Sequence, residues 1–396
     1  MFRRRVATWS VATLTGLLFA GCSAAAAPPP PRATPTAPQS ATPTATPTPP
    51  GLHVAGNELV DGSGTAVQLR GVNASGTEYA CVDGWGIFDL PGAHGTEVPE
   101  AAVRRLVQLQ GITAVRVPLN EQCWLGLGVD RQYGGAAYQR AVADFVAKLR
   151  AHGLVVVLDL HRTAPADGRS LQQEQMPDRD HSIDFWRQVA TAYRDDTSVV
   201  FDLFNEPWPY SAHSGERAWS CWRDGGCRLP SQNTGQSYTA AGMNELIAAV
   251  RSTGARNVLA AGGLYWGEVL DRWLAYRPSD PLNNLMAAFH AYAGNDICIE
   301  EGCFDSVLAP LIAEVPLYVG EFGPDTTVAY GAPCPVSAAG HTGFGERLLD
   351  WLDGHGVSWT AWSWNASDDC YSLVQDQHGT PTPVWGRFVL DRLSRS

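Results

Sequence analysis

Residues 199–209 read VVFDLFNEPWP, an apolar run that stops abruptly at Asn205, Glu206 and Pro207. Short runs rich in Val, Leu and Phe and bounded by turn residues are typical of strands that are buried on both faces. Asn and Pro are also common turn residues, so this run alone does not distinguish a functional carboxyl group from the plain end of a strand. The rest of the chain decides between the two interpretations.

Seven further apolar runs of this kind alternate with helical patterns. The eight predicted strands cover residues 67–73, 114–119, 154–161, 199–205, 258–262, 286–292, 317–321 and 358–364. The helical patterns cover residues 98–110, 138–152, 183–194, 238–252, 307–314 and 343–355, and glycines end several of them, at positions 111, 153, 254 and 356. Eight strand–helix units in about 250–400 residues predict an α/β fold, a (β/α)8 TIM barrel, and not an open doubly wound sheet. The lead-in at residues 52–73 has Asp-Gly turn chemistry and predicts a short N-terminal β-hairpin that plugs the bottom of the barrel.

The N-terminus has the pattern of an export signal. Arginines at positions 3–5 precede an apolar stretch at residues 11–20, which is too short and wrongly flanked for a membrane span. The stretch ends in FAGC, which resembles a bacterial lipobox with Phe in place of the usual aliphatic residue. We therefore expect residues 1–21 to be a lipoprotein-type signal peptide, cleaved before a lipid-modified Cys22; cleavage nearby without a lipid is the alternative.

Residues 22–50 are rich in Pro and Thr and lack hydrophobic periodicity, which predicts a disordered, extended linker. Residues 51–396 then form the folded domain. No other segment is long and apolar enough to span a bilayer, so a lipid on Cys22 would be the only membrane attachment. We expect an exported, extracellular or cell-surface protein that is a monomer.

The net charge and the cysteine content restrict the kinds of partner and ligand that the sequence predicts. A formal net charge of −12 argues against nucleic acid, which binds basic surfaces. Eight cysteines remain besides Cys22, and an even set in an exported chain predicts disulfides. Their spacing suggests the pairs Cys81–Cys123, Cys221–Cys227, Cys298–Cys303 and Cys334–Cys370. Zinc is less favoured because closely paired ligand spacing is missing, and we expect neither a metal nor a cofactor.

Polar or aromatic residues stand at the predicted C-terminal ends of six strands, which is the end where (β/α)8 barrels carry their sites. They are Arg116 in RVPLNE, His161 in DLH, Asn205 and Glu206 in LFNEP, His290 and Tyr292 in FHAY, Glu321 in GEFG and Trp362 in AWSW. Any one of them has a structural explanation, such as a buried histidine or a core tryptophan. Six such strand ends at one mouth indicate an active site.

Two glutamates on different strands of one barrel mouth fit the hydrolysis of a glycosidic bond, in which one carboxyl group protonates the leaving oxygen and the other attacks or stabilises the anomeric carbon. The sequence contains no HExxH, no Asp-rich calcium loop, no Gly-rich phosphate loop and no GxSxG. These are the usual motifs of metal-dependent, nucleotide-dependent and serine-hydrolase chemistry, so the sequence does not favour those classes. Indole rings stack on the apolar faces of sugars. The loop tryptophans Trp85, Trp124, Trp208 and Trp266 are therefore candidate cleft residues, although each could instead belong to a loop core.

These motifs, in this order, resemble glycoside hydrolase family 5, the cellulase family of retaining (β/α)8 glycosidases, over residues 56–392. The resemblance implies a double displacement with Glu206 as acid/base and Glu321 as nucleophile. It also implies that Arg116, His161, Asn205, His290 and Tyr292 form the polar substrate-binding floor and that Trp362 is the stacking platform. Independently, Arg116 and Tyr292 near Glu321 would favour its anion, and Glu206 beside another carboxylate should have a raised pKa.

The substrate remains open within a class. We expect a retaining glycoside hydrolase that cleaves β-linked glucan, like an endo-β-1,4-glucanase. A β-mannanase or another family 5 β-glycosidase is the alternative. The competing class is a non-catalytic glycan-binding lipoprotein, which would give no reason for two glutamates at strand ends.

Overall fold

Eight parallel strands close into a barrel in chain order, and the last strand pairs with the first. The computed structural model describes residues 51–211, 215–293, 298, 300–326, 339–340, 343–367 and 369–395. The barrel strands are β1 (Arg70–Asn73), β2 (Ala114–Asn120), β3 (Val155–Arg162), β4 (Val199–Asp202), β5 (Leu259–Gly262), β6 (Leu285–Ala291), β7 (Leu317–Phe322) and β8 (Ser358–Ala361). Every strand overlaps the apolar run that predicted it.

Helices lie between consecutive barrel strands, except between β5 and β6, where the chain forms bridges and turns. The helices are α1 (Ala80–Asp83), α2 (Glu100–Val107), α3 (Glu121–Leu125), α4 (Ala136–Ala151), α5 (Ser182–Tyr193), α6 (Glu216–Asp224), α7 (Met243–Ser252), α8 (Glu301–Cys303), α9 (Ala309–Ile312), α10 (Phe344–Gly354) and α11 (Trp385–Leu393). A π-helical turn, Phe304–Leu308, joins α8 to α9, and a 3-10 turn covers Pro209–Ser211. The predicted (β/α)8 barrel is therefore confirmed.

Among the described residues, four short antiparallel strand pairs lie outside the barrel: His53–Ala55 with Glu58–Val60, Phe88–Leu90 with Ala93–Gly95, Arg228–Pro230 with Ser237–Thr239, and Asp325–Thr326 with Ala339–Gly340. One of them corrects a helix prediction. The pattern at residues 238–252 suggested one helix, but α7 begins only at Met243. The side chain of Tyr238 is buried and its hydroxyl donates to the carbonyl of Met176, which holds this part of the segment extended.

Side chains alternate along the barrel strands, as the pleat requires. In β3, Val155 and Val157 pack with residues of the other strands inside the barrel. Val156 and Leu158 point the other way and belong to the same core as Phe145 of α4. The sheet is thus covered on both faces, which is why its strands read as continuous apolar runs rather than as alternating ones.

The predicted hairpin closes the N-terminal end of the barrel. His53–Ala55 pairs with Glu58–Val60, and Leu59 packs against the interior cluster at the beginning of β2 and β3. The sequence suggested a turn at Asp61-Gly62, but the turn between these two strands lies at Gly56. Asp61 forms a second turn instead, because its side chain accepts hydrogen bonds from the backbone N–H groups of Ser63 and Thr65.

Three of the four predicted disulfides are present in the described part of the chain: Cys81–Cys123, Cys221–Cys227 and Cys298–Cys303. The first joins α1 to α3 and so links the segments that follow β1 and β2. The fourth predicted pair includes Cys334, which lies outside the described residues. The signal peptide, Cys22 and the linker also lie outside them and stay predictions. Within the described ranges, no helix has both the length and the apolar character needed to cross a membrane.

Candidate active site

The C-terminal mouth of the barrel brings together most of the residues that the sequence singled out. Arg116, His161, His290 and Glu321 belong to strands, and Tyr292 and Trp362 follow the ends of theirs directly. Asn205 and Glu206 lie three and four residues beyond Asp202, the last residue of β4. The four-residue strand β4 releases the chain early, so that Asn205 and Glu206 stand on the mouth and not in the sheet.

The guanidinium of Arg116 is the centre of a fully buried hydrogen-bond network. Nη1 donates to Oε1 of Glu321 at 2.7 Å and to Oδ1 of Asn73 at 3.0 Å. Nη2 donates to Oδ1 of Asn205 at 2.8 Å, and Nε donates to Oδ2 of Asp202 at 3.0 Å. The rigid planar fork of arginine suits such simultaneous contacts. Arg116 therefore fixes the orientation of both Glu321 and Asn205.

Asp159 extends this network to the neighbouring strand end. Its Oδ2 lies 3.1 Å from Nη2 of Arg116 and 2.6 Å from Nδ1 of His161. Burial lowers the pKa of His161 to about 4, so the ring is neutral near pH 7. The imidazole stacks on the indole of Trp362, with centroids 5.4 Å apart and planes inclined by 10°. Asp159 thus orients a neutral imidazole that lies against an aromatic platform.

Both carboxylate oxygens of Glu321 accept hydrogen bonds. Oε1 accepts from Arg116, and Oε2 accepts from the hydroxyl of Tyr292 at 2.8 Å. The side chain is only 5% exposed, so these bonds form away from bulk water. Charge-assisted donors of this kind are stronger than neutral ones and hold a carboxylate in one orientation.

Glu206 has a different environment. Burial raises its pKa to about 7, while 15% of its side chain remains exposed to the mouth. The sequence predicted this direction, but from the neighbouring carboxylate; the cause is removal from water. Oε1 of Glu206 lies 2.9 Å from Nδ1 of His290, and burial lowers the pKa of His290 to about 4, which leaves that ring neutral. Gln173 donates to the backbone carbonyl of Glu206 at 3.0 Å and holds this turn.

The two glutamates face each other with His290 between them. Its Nδ1 lies 3.8 Å from Oε2 of Glu321, and one oxygen of each glutamate lies within 4.8 Å of the other and of an imidazole nitrogen. These three side chains could also offer ligand atoms to a metal ion. Both oxygens of Glu321 are already engaged by Arg116 and Tyr292, so the arrangement suits proton transfer and nucleophilic attack.

Two tryptophans form an aromatic wall beside Glu206. Trp208 and Trp266 stack with centroids 5.1 Å apart and planes inclined by 21°, and both remain partly exposed. Trp266 has a left-handed backbone (φ 56°), which is unfavourable for a bulky residue. Gly267, also left-handed at φ 82°, follows it and lies so close to His290 that an added Cβ would be 3.1 Å from the ring. The glycine therefore allows the Trp266 loop to approach the site.

Trp85 and Trp124, the other two candidate cleft residues, have different surroundings. Trp85 stacks on His94 at 4.3 Å and is partly exposed. Trp124 is 2% exposed and packs edge-on against Tyr138 of α4 and Phe185 of α5. The prediction that Trp124 lines the cleft is wrong, because the segment after β2 forms α3 and turns this ring into the core.

The sequence did not single out Asn73 or Gln173. Asn73 ends β1 and its side-chain amide donates to the carbonyl of Gly320 at 2.9 Å, so it connects Arg116 to β7. The search for polar residues at the C-terminal ends of predicted strands would have found Asn73 if it had included the first strand. Gln173 belongs to a long loop, and no local pattern marks it.

A pair of buried carboxyl groups across the mouth of a (β/α)8 barrel, one anchored by arginine and tyrosine and the other with a raised pKa, is the arrangement that defines the barrel glycosidases as a class. The comparison with family models agrees with this assignment. Residues 60–368 match the model for cellulase (glycosyl hydrolase family 5), and the chain belongs to this family.

Curated relatives are distant. The chain is 25% identical over 323 residues to an endoglucanase of Microbulbifer sp. (strain ALW1), which covers 80% of this chain and 51% of the relative. It is 23% identical over 332 residues to endoglucanase A of Butyrivibrio fibrisolvens, which covers 82% and 62% respectively. The chain thus spans between half and two thirds of the length of these relatives.

Solved structures share the fold over nearly their whole length. A β-glucanase of Saccharophagus degradans, determined in complex with cellotetraose, superposes with a TM-score of 0.65 at 19% identity, covering 91% of this chain and 98% of that one. A β-mannanase from Streptomyces thermolilacinus gives 0.59 at 20% identity, covering 87% and 95%.

Proposed function

We propose that this chain is a retaining glycoside hydrolase that cleaves β-linked glucan in the manner of an endo-β-1,4-glucanase. The observation that carries the proposal is the contrast between the two glutamates. Glu321 receives hydrogen bonds on both oxygens from Arg116 and Tyr292, whereas burial raises the pKa of Glu206 to about 7. One carboxyl group is thus prepared as an oriented anion and the other as a proton donor.

In the first step, a carboxylate oxygen of Glu321 attacks the anomeric carbon while Glu206 gives its proton to the departing glycosidic oxygen. This step forms a covalent glycosyl-enzyme and releases the first product. In the second step, Glu206, now ionised, takes a proton from water, and that water displaces Glu321. The proximity of the two glutamates supports a double displacement. One oxygen of each lies within 4.8 Å of the other, and retaining enzymes hold their carboxyl groups about 5–5.5 Å apart.

The surrounding residues take binding roles. Because Oδ1 of Asn205 accepts from Arg116, its amide N–H groups are left to donate to a sugar hydroxyl. The neutral His161 stacked on Trp362 offers a polar edge beside an aromatic face, and a sugar ring needs both. Trp208 and Trp266 lie on the Glu206 side and would hold the leaving part of the chain.

A β-glucan is preferred because the curated relatives are named endoglucanases. A β-mannan is the second candidate, since two of the structures with this fold are mannanases of Streptomyces. Export to the cell surface, with a lipid on Cys22 and a disordered linker up to residue 50, completes the proposal. The three disulfides support an oxidising compartment.

Release of reducing sugar from β-1,4-glucan, mixed-linkage β-glucan and β-mannan tests the proposal directly. We expect the fastest release from a β-glucan, and none from the matched Glu321→Gln variant, which keeps the shape of the side chain. Faster release from mannan would move the chain to the second candidate. Binding of these glycans without any release would favour the non-catalytic class.

A further inference from the structure

A second group of potential ligands lies apart from the two glutamates. Glu121 begins α3, and Asp178 and His181 precede α5. Each of the three offers one ligand atom, and these atoms lie within 4.8 Å of one another. The side chains of Glu121 and Asp178 are fully buried, and that of His181 is 20% exposed, so the group can be reached from solvent.

In the part of the chain that the structure describes, the two carboxyl groups of this cluster have only a histidine as a basic neighbour. Oxygen atoms of the two carboxyl groups lie within 4.8 Å of each other, and two carboxylates at this distance repel each other unless a proton or a cation lies between them. Within the described ranges, neither forms an ion pair with Lys or Arg, and the only basic group beside them is His181, whose Nδ1 lies 3.9 Å from Oε1 of Glu121 and 3.8 Å from Oδ1 of Asp178. As carboxylates, they leave the buried Oδ2 of Asp178 without a donor. Buried carboxylates are normally paired or bound to metal.

The remaining contacts fix the orientation of the carboxyl groups. Oε2 of Glu121 accepts from the hydroxyl of Ser182 at 2.5 Å, and Oδ1 of Asp178 accepts from the backbone N–H of His181 at 2.8 Å. The carbonyl oxygen of Ala164 lies 3.2 Å from Nδ1 of His181 and is a candidate for a fourth ligand. Hydrogen bonds that hold the ligands from outside are typical of protein metal sites.

We propose that Glu121, Asp178 and His181 bind a divalent transition-metal ion of the zinc class. Two carboxylates and a neutral imidazole carry a charge of −2, which such an ion neutralises. Imidazole and carboxylate ligands suit zinc, whereas calcium takes six to eight oxygen ligands. The ion would connect the start of α3 to the start of α5, and its role would be structural.

Zinc binding to the untagged full-length protein tests this site. The protein is stripped with a chelator, incubated with ZnCl2, passed through a desalting column and analysed for zinc by mass spectrometry, and its Tm is recorded with and without zinc. We expect one zinc ion per chain at this site and a higher Tm with zinc, because a ligand that binds only the folded state stabilises it.

Variants locate the ion. Asp178→Asn, which keeps the shape of the side chain, should lose the bound zinc and the rise in Tm, and His181→Gln should do the same if Asp178→Asn does not fold. Asp184→Asn, at an exposed position of α5, is the matched control and should keep both. Glu206→Gln should also keep the ion at this site, which separates it from the ligand atoms at the barrel mouth. Zinc retained by both Asp178→Asn and His181→Gln, zinc lost with Glu206→Gln, or no zinc in the wild type would each overturn the proposal.

Discussion

Arg116 donates a hydrogen bond of 2.7 Å to Glu321, and both side chains are buried. The same guanidinium also contacts the carboxyl groups of Asp159 and Asp202, so one cation stands among three acids. Removing one partner of a buried ion pair leaves the other without compensation, which costs about 3–5 kcal/mol. Arg116 therefore serves both the geometry of the site and the stability of the barrel.

We predict that Arg116→Lys lowers kcat by about 10²–10³-fold, because an ammonium group cannot contact Glu321, Asn205 and Asp202 in one plane. Its Tm should also fall. Kinetics on the preferred glucan and a thermal melt measure the two effects. A variant with wild-type kcat would contradict the role given to this network.

The acids around Arg116 make stability depend on pH. Burial raises the pKa of Asp202 to about 6 and that of Asp159 to about 7, from 3.8. A carboxyl group whose pKa is raised by folding stabilises the folded state while it keeps its proton. This contribution is fully present below about pH 4 and is lost as pH rises through 6 and 7.

We therefore predict that Asp202→Asn weakens the fall of Tm between pH 4 and pH 6, since an amide cannot ionise. The exposed Asp184→Asn should follow the wild-type curve and serves as the control. Parallel Tm curves for Asp202→Asn and the wild type would show that Asp202 keeps its charge throughout this range.

In the proposed mechanism, the pKa of Glu206 sets an upper pH limit for catalysis. Since burial raises this pKa to about 7, the proton donor is lost above that pH. We predict that kcat/KM on an oligosaccharide falls above about pH 7, whereas an aryl glycoside with a very acidic leaving group shows no such fall. The same basic limb for both substrates would assign the ionisation to another group.

A tryptophan of the aromatic wall and a tryptophan of the core should respond differently to replacement by alanine. Trp266→Ala removes part of the aromatic wall, so we predict a KM for long glucans that rises ~2–10-fold, from the ~0.5–1.5 kcal/mol of a stacking contact. Trp124→Ala leaves a cavity in the core, so it should lower the free energy of unfolding by ~3–5 kcal/mol. Equal effects of both variants on KM would contradict this separation.

Local sequence patterns predicted the barrel and the residues at its strand ends. Each apolar strand is followed in the chain by its polar end residues and a turn, so one short window contains the whole signal. Trp124 was placed wrongly because a five-residue helix after β2 has no long periodic pattern, and only that helix turns the ring inward. The contact of Glu121 with Asp178 joins residues far apart in sequence, so no spacing rule predicts it. The sequence predicted the direction of the pKa shift of Glu206 correctly but not its cause. The cause is burial, which depends on the loops around the mouth.

The final prediction separates the roles of Glu206 and Glu321. With Glu206→Ala and an aryl glycoside whose leaving group needs no protonation, the glycosyl-enzyme should still form, but its hydrolysis should slow because no general base activates water. Azide needs no general base, so added azide should restore turnover and yield the β-azide, the product of two displacements. Glu321→Ala cannot form the covalent intermediate, and azide should give at most the inverted α-azide. NMR spectroscopy of the products identifies the anomer, and an inverted product from the wild type, or the α-azide from Glu206→Ala, would exclude the proposed assignment.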